Sequence, residues 1–230
     1  MRAKKLVLMG VTGVAASLPV VASANLVADG TFTGALTGVT LDGPGYTEVG
    51  AGGSIGGDWA VTSGSVDVIE SYWQAPLGTG NSVDMAGIQN GAIAQTTINS
   101  PDAGIYMLSF YMSGNPDGPP PAKVLGVSVN GGTAVDYTYN TVTEDNSHSD
   151  MKYILETEVV NLNGGVNTLS FADLSGPAGG SWGNTTPFGA VIGDVSLVPV
   201  PEAGTLAAGT LMLLPLGISA LRIARKSRIA

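Results

Sequence analysis

Tyr72-Trp73-Gln74 is a stretch equipped for chemistry, because two aromatic faces can stack on the apolar face of a pyranose ring while an amide takes its hydroxyls. Trp182, set among glycines in Gly179-Gly180-Ser181-Trp182-Gly183, offers a second accessible ring, whereas Trp59 reads as a core anchor. Trp73, Gln74 and Trp182 are therefore the candidate sugar-contacting residues. A Trp packed between sheets and a Gln satisfying loop backbone would account for the same tripeptide. Acid–base chemistry has little to work with. His148, the single histidine, lies in the polar run Glu144 to Asp150 and reads as surface. Asp67 with Glu70, and Glu156 with Glu158, are the carboxylate pairs at short spacing. Period-two geometry puts Glu156 and Glu158 side by side on one strand face, which does not flank a scissile bond. There is no zinc-binding histidine pair, phosphate loop or cysteine, so no catalytic residue is assigned.

The elements that must position these residues are strands. Runs rich in Val, Ile, Thr and aromatics occur at Ser65 to Ile69, Ser82 to Ala86, Ala92 to Ile98, Ile105 to Met112, Val124 to Asn130, Val135 to Tyr139, Tyr153 to Val160, Thr168 to Ala172 and Val191 to Val198. Turn signals such as Asn130-Gly131-Gly132 and Asn163-Gly164-Gly165 separate them. In Ile105 to Met112 the even residues Tyr106, Leu108, Phe110 and Met112 are expected to face the core of a central strand. No long helical period competes, and the 34 glycines fit a loop-dense protein. The pattern predicts a single antiparallel β-sandwich of the jelly-roll type over residues 25–198. Long loops are expected at the Gly-rich Leu41 to Asp58, at the Pro-rich Gly114 to Ala122 and at residues 140–150.

Charge is unevenly placed along the chain. Of nine basic residues, Arg2, Lys4 and Lys5 precede the apolar stretch Leu6 to Val21, and Arg222, Arg225, Lys226 and Arg228 follow the apolar run Leu206 to Leu221. Between these ends, only Lys123 and Lys152 stand against 17 of the 18 acidic residues. So acidic a surface repels nucleic acid, and DNA or RNA partners are set aside. The first 24 residues read as an export signal, with the small residues Ala22 and Ala24 placed for signal peptidase. Residues 199–205 read as a linker, residues 206–221 as a membrane-spanning helix of roughly 24 Å at about 1.5 Å per residue, and residues 222–230 as a basic cytoplasmic tail obeying the positive-inside rule. The domain is thus expected outside the cytoplasm and tethered to the inner membrane.

Val200-Pro201-Glu202, followed by an apolar helix and a basic cluster, resembles the PEP-CTERM sorting signal of Gram-negative bacteria, although Ala203 stands where that motif has a second proline. The resemblance implies Pro201 and Glu202 as the sorting motif, an exosortase-like processing enzyme as partner, and a cell-surface or matrix location among extracellular polysaccharide. The stretch from Trp59 to Gly114, including Gly64-Ser65-Val66-Asp67-Val68-Ile69, Tyr72-Trp73-Gln74-Ala75 and Ser82-Val83-Asp84-Met85-Ala86-Gly87, resembles the choice-of-anchor C family, related to the DUF642 type of galactose-binding-like domain. Asn25-Leu26-Val27 and Gly193-Asp194-Val195-Ser196-Leu197 match the first and last strands of such domains. That likeness implies a structural calcium held between those strands, with Asp194 and the neighbourhood of Asp29 as candidates, but two of the usual carboxylates are missing here. Together these readings favour a non-enzymatic structural or adhesive surface protein. The alternative is a dedicated lectin-like carbohydrate-binding module, with glycoside hydrolysis third.

Overall fold

The computed structural model describes residues 24–176 and 188–201. The signal segment, the candidate membrane helix, Ala22, Trp182 and Glu202 lie outside the described residues. Among those described, no helix is long and apolar enough to cross a membrane.

Twelve antiparallel strands make up the domain: β1 (Leu36–Gly43), β2 (Tyr46–Ile55), β3 (Trp59–Ser63), β4 (Ser65–Ile69), β5 (Ser82–Asp84), β6 (Ala92–Ser100), β7 (Gly104–Gly114), β8 (Ala122–Val129), β9 (Val135–Asn140), β10 (Ile154–Leu162), β11 (Gly165–Asp173) and β12 (Ala190–Pro199). Hydrogen bonding links them in the order β10-β7-β12-β5-β4-β2-β3-β6-β11-β8-β9, with β1 on β2. The path doubles over on itself. Phe110 of β7 packs edge-on against Phe171 of β11 and Tyr137 of β9, at centroid distances of 5.4 and 5.1 Å, although those strands lie far along the ladder. The Tyr137 hydroxyl also donates to Glu158 Oε2 of β10 at 3.0 Å. Two layers therefore enclose one core, which includes the fully buried Trp59, Phe32, Phe110 and Phe171. Burying such rings contributes much of the stability of a chain without disulfides.

Every strand read from alternation and composition is present, most of them extended by one to three residues, while Ser82 to Ala86 is shortened to Ser82–Asp84. Tyr106, Leu108, Phe110 and Met112 are all at most 3% exposed, and β7 lies between β10 and β12, as a central strand should. The largest correction falls on Leu41 to Asp58, which is not a loop: most of it is β2, hydrogen-bonded to β1 and β4. Tyr46-Thr47-Glu48-Val49 carries a strand's alternation, and its glycines permit close approach. A Cβ on Gly53 would collide with the Thr37 carbonyl of β1, which bulges at this point. Asn25 to Val27 is no strand either, although Leu26 N–H donates to the Leu197 carbonyl of β12 at 2.9 Å. At the other end β12 runs into the expected linker through Pro199, and Val200 N–H donates to Ile105 O. The polar loop after β9 contains the single-turn α1 (Thr141–Glu144), which Asn140 caps by accepting from Val142 and Thr143 N–H.

Candidate functional site

On β4, Val66 and Val68 point into the core, leaving Asp67 on the opposite face. Register then places Glu48 of β2 beside Asp67 on one side and Asp84 of β5 beside it on the other. Three carboxylates so form one row across three adjacent strands, an arrangement that repels itself. Nor is this face open to solvent. Trp73, Ile69, Met151 and Val191 form a second small apolar cluster over it, with Tyr46 and Tyr153 at its margin. Beside that cluster lies a cavity of about 420 Å³, within the ~300–1,000 Å³ typical of small-ligand sites. The acidic row lines it, together with the aromatic rings of Tyr46, Tyr72 and Trp73; Asn115, Asp117 and Phe188 complete it, and the exposed Leu41 and Ile88 stand at its rim.

The far wall is built from the Pro-rich loop after β7, which hydrogen bonds hold in place. Asn115 Nδ2 donates to Asp84 Oδ2 at 2.6 Å, while Asp84 Oδ1 accepts from Ala86 N–H at 3.0 Å and Gly189 N–H at 3.1 Å. Asp117 then ties loop to aromatic wall: Tyr72 donates its hydroxyl to Oδ2 at 3.1 Å, and His148 Nε2 sits 2.6 Å from Oδ1. The imidazole packs on Tyr72 with centroids 4.7 Å apart. His148 is thus no free surface residue, although its side chain is 41% exposed. Behind the loop, the fully buried Lys123 donates from Nζ to the carbonyls of Gly118 at 2.8 Å and Phe188 at 2.7 Å.

These placements shift protonation equilibria. Burial, reinforced by Glu48, raises Asp67 from 3.8 to about 7. Asp84 is pushed well above the carboxylate range by burial and by Asp67, against the lowering effect of its Ala86 and Asn115 hydrogen bonds. Burial lowers Lys123 to about 8, partly offset by Asp84 and Asp173. The arrangement does not suit glycoside hydrolysis. Glu48 and Asp67 are neighbours on one sheet face rather than carboxyls flanking a bond from two sides, and Asp84 is enclosed by its own donors.

Of the residues singled out in the sequence, Trp73 is 6% exposed and gives its indole N–H to Ser82 Oγ at 2.9 Å. It lines the cavity without offering an open stacking face. Gln74 serves backbone: its Oε1 accepts from Met151 N–H at 3.1 Å, and its N–H donates to His148 O. Asp29 closes a turn, with Oδ1 accepting from Thr33 N–H and Oδ2 from Gly34 N–H. Asp194 sits at positive φ in the irregularity of β12 between Gly193 and Ser196. No group of three or more acidic or histidine side chains among the described residues is placed to share a metal ion. Ala24 and Pro201 lie at the limits of the described chain and take no part in the cavity. Sequence reasoning missed Glu48, Asp84, Asn115 and Asp117, which share no motif and meet only through register and one loop; the Tyr46 to Val49 alternation was the available signal.

No protein-family model matches the sequence, the choice-of-anchor, DUF642 and PEP-CTERM families included, and no curated protein matches it. Solved structures overlap with it at low similarity. A CBM35 from Paenibacillus barcinonensis is 20% identical over 73% of this chain and all of its own, with a TM-score of 0.38. A family 35 carbohydrate-binding module from Clostridium thermocellum is 15% identical over 62% of this chain and 89% of its own, also at 0.38. The exo-beta-1,3-galactanase of Phanerochaete chrysosporium matches over 51% of this chain at 20% identity and a TM-score of 0.34, and the overlap spans only 23% of the galactanase. Overlaps of this order say nothing about what the present chain binds, since a shared strand arrangement hosts many unrelated sites.

Two outcomes are predicted from this geometry. Replacing Lys123 by Met leaves the Gly118 and Phe188 carbonyls without their donor and should cost about 1–3 kcal/mol in urea unfolding, with faster amide exchange in residues 115–121. The raised carboxyl of Asp67 favours the neutral form in the fold, so its stabilising share is complete below pH 3.8 and is lost as pH rises toward 7. Asp67→Asn should therefore flatten the decline of melting temperature between pH 4 and 7; an unchanged slope would refute the burial of this charge.

Proposed function

We propose that the domain is a non-catalytic carbohydrate-binding module whose ligand enters the cavity beside the acidic row. One observation carries this reading: a preformed cavity of about 420 Å³ combines aromatic rings with buried and half-buried carboxylates. Rings cover the C–H faces of a sugar while carboxylates accept its hydroxyl protons, and hydrogen bonds already fix Tyr72, Trp73, Asp84 and Asp117 before binding, which lowers the ordering cost. Tyr72, 36% exposed and held through Asp117, takes the stacking role that the sequence suggested for Trp73. This favours the lectin-like reading over a purely structural or adhesive one. The finer assignment to a galactose-binding-like jelly roll belongs to the same proposal. So does delivery: export through residues 1–24, tethering by residues 206–221, and release at Pro201-Glu202 by an exosortase-like enzyme to an outer surface rich in polysaccharide. It is supported by the placement of the basic residues and by the small residues around Ala22 and Ala24.

Calorimetric titration against a panel of neutral and amino oligosaccharides should give saturable binding, weakened at least tenfold (about 1.4 kcal/mol) in Tyr72→Ala with the β-sheet circular dichroism spectrum retained. Binding that survives Tyr72→Ala undiminished would place the ligand elsewhere. The intact mass of protein recovered from the cell surface should correspond to loss of both the leader and the tail. A mass that retains residues 202–230 would contradict release.

A further inference from the structure

Glu48 is 3% exposed, and its only side-chain hydrogen bond among the described residues comes from Ile88 N–H to Oε1 at 3.3 Å. Oε2 has no donor there, and the Asp67 carboxyl beside it receives no hydrogen bond from any described residue. Both line the cavity. Neither carboxyl is sealed off: both present acceptor atoms to the cavity, and nearby protein supplies no cation to meet them. The two basic residues of the domain are committed elsewhere: Lys123 to the Gly118 and Phe188 carbonyls, Lys152 to Asp150 at 2.5 Å. Among the described residues no three acidic or histidine side chains converge on a metal position. What fits is a positive charge carried on an organic ring, with N–H donors that reach two separate carboxylates and an apolar face for Tyr72.

Resting on the carbohydrate-binding reading, we infer that the preferred ligand is an amino sugar with a free, protonated amine, which donates to Glu48 and Asp67 while its ring packs on Tyr72. The same cavity disfavours uronic acids and sulfated glycans, whose charge repeats that of the row. N-acetylation removes both the charge and two of the donors, and so should abolish most of the preference.

The full chain is titrated at 150 mM salt with the glucosamine disaccharide, its di-N-acetyl counterpart and a galacturonate disaccharide. Short ligands are required because so acidic a domain attracts any polycation. The expected result is binding of the glucosamine disaccharide at least tenfold tighter than of the acetylated one, with the galacturonate undetected. Glu48→Gln and Asp67→Asn should each shrink that preference to less than threefold. Tyr72→Ala, which leaves the net charge unchanged, should weaken both glucosamine ligands alike. If the acetylated disaccharide or the galacturonate binds as well as the free amine, or if the preference survives Asp67→Asn, the amine assignment is overturned while the carbohydrate reading stands. If none of the three binds and the wider panel is also silent, both fall.

Discussion

Asn115 and Lys123 hold a loop across a row of like charges, and the cavity exists because that loop stays in place. Asn115 satisfies Asp84 at the inner end of the row, and Lys123 fastens the backbone of the same loop at Gly118 to the start of the final strand region at Phe188. Lys123 also carries electrostatic weight, since its ammonium interacts favourably with Asp84 and Asp173. With the loop fixed, Asp117 falls within reach of both Tyr72 and His148, so the aromatic wall depends on the same anchoring.

That dependence explains what sequence could and could not show. Ser65 to Ile69 and Ile105 to Met112 were legible because one face of each meets a single core, and burial writes alternation into the residues. Tyr46 to Ile55 was not, because its glycines serve close strand approach rather than a turn, and the two uses look alike in a linear chain. The cavity was legible only in part. Tyr72 and Trp73 stand out as aromatics next to glutamine, yet which of them is accessible depends on Ser82 accepting the Trp73 indole proton. Glu48, Asp67 and Asp84 are separated by 19 and 17 positions in the chain and become neighbours through register alone.

The outer face of this sheet is unusual in carrying a small apolar cluster and a charged row side by side. Trp73, Met151 and Val191 exclude water from one flank, which raises the cost of ionising the carboxylates next to them. Asp67 is the residue where these influences meet, less enclosed than Asp84 and less constrained by hydrogen bonds than Glu48. It is therefore the carboxylate best placed to respond to whatever enters.

A strand pair that needed only stability would place β-branched or aromatic residues opposite one another, which contributes roughly 0.2–1 kcal/mol per pair relative to alanine, whereas facing like charges have the opposite effect. Here Glu48 faces Asp67 and Asp67 faces Asp84, in a domain with no disulfide to offset the loss. Solubility does not account for the choice, because Glu48 and Asp84 are at most 3% exposed and contribute little surface charge. Local sequence and global fold agree through the rest of the sheet, and departures from that agreement concentrate where a protein uses its residues for something other than holding itself together. The acidic row is such a departure, and it coincides with the cavity and its aromatic wall.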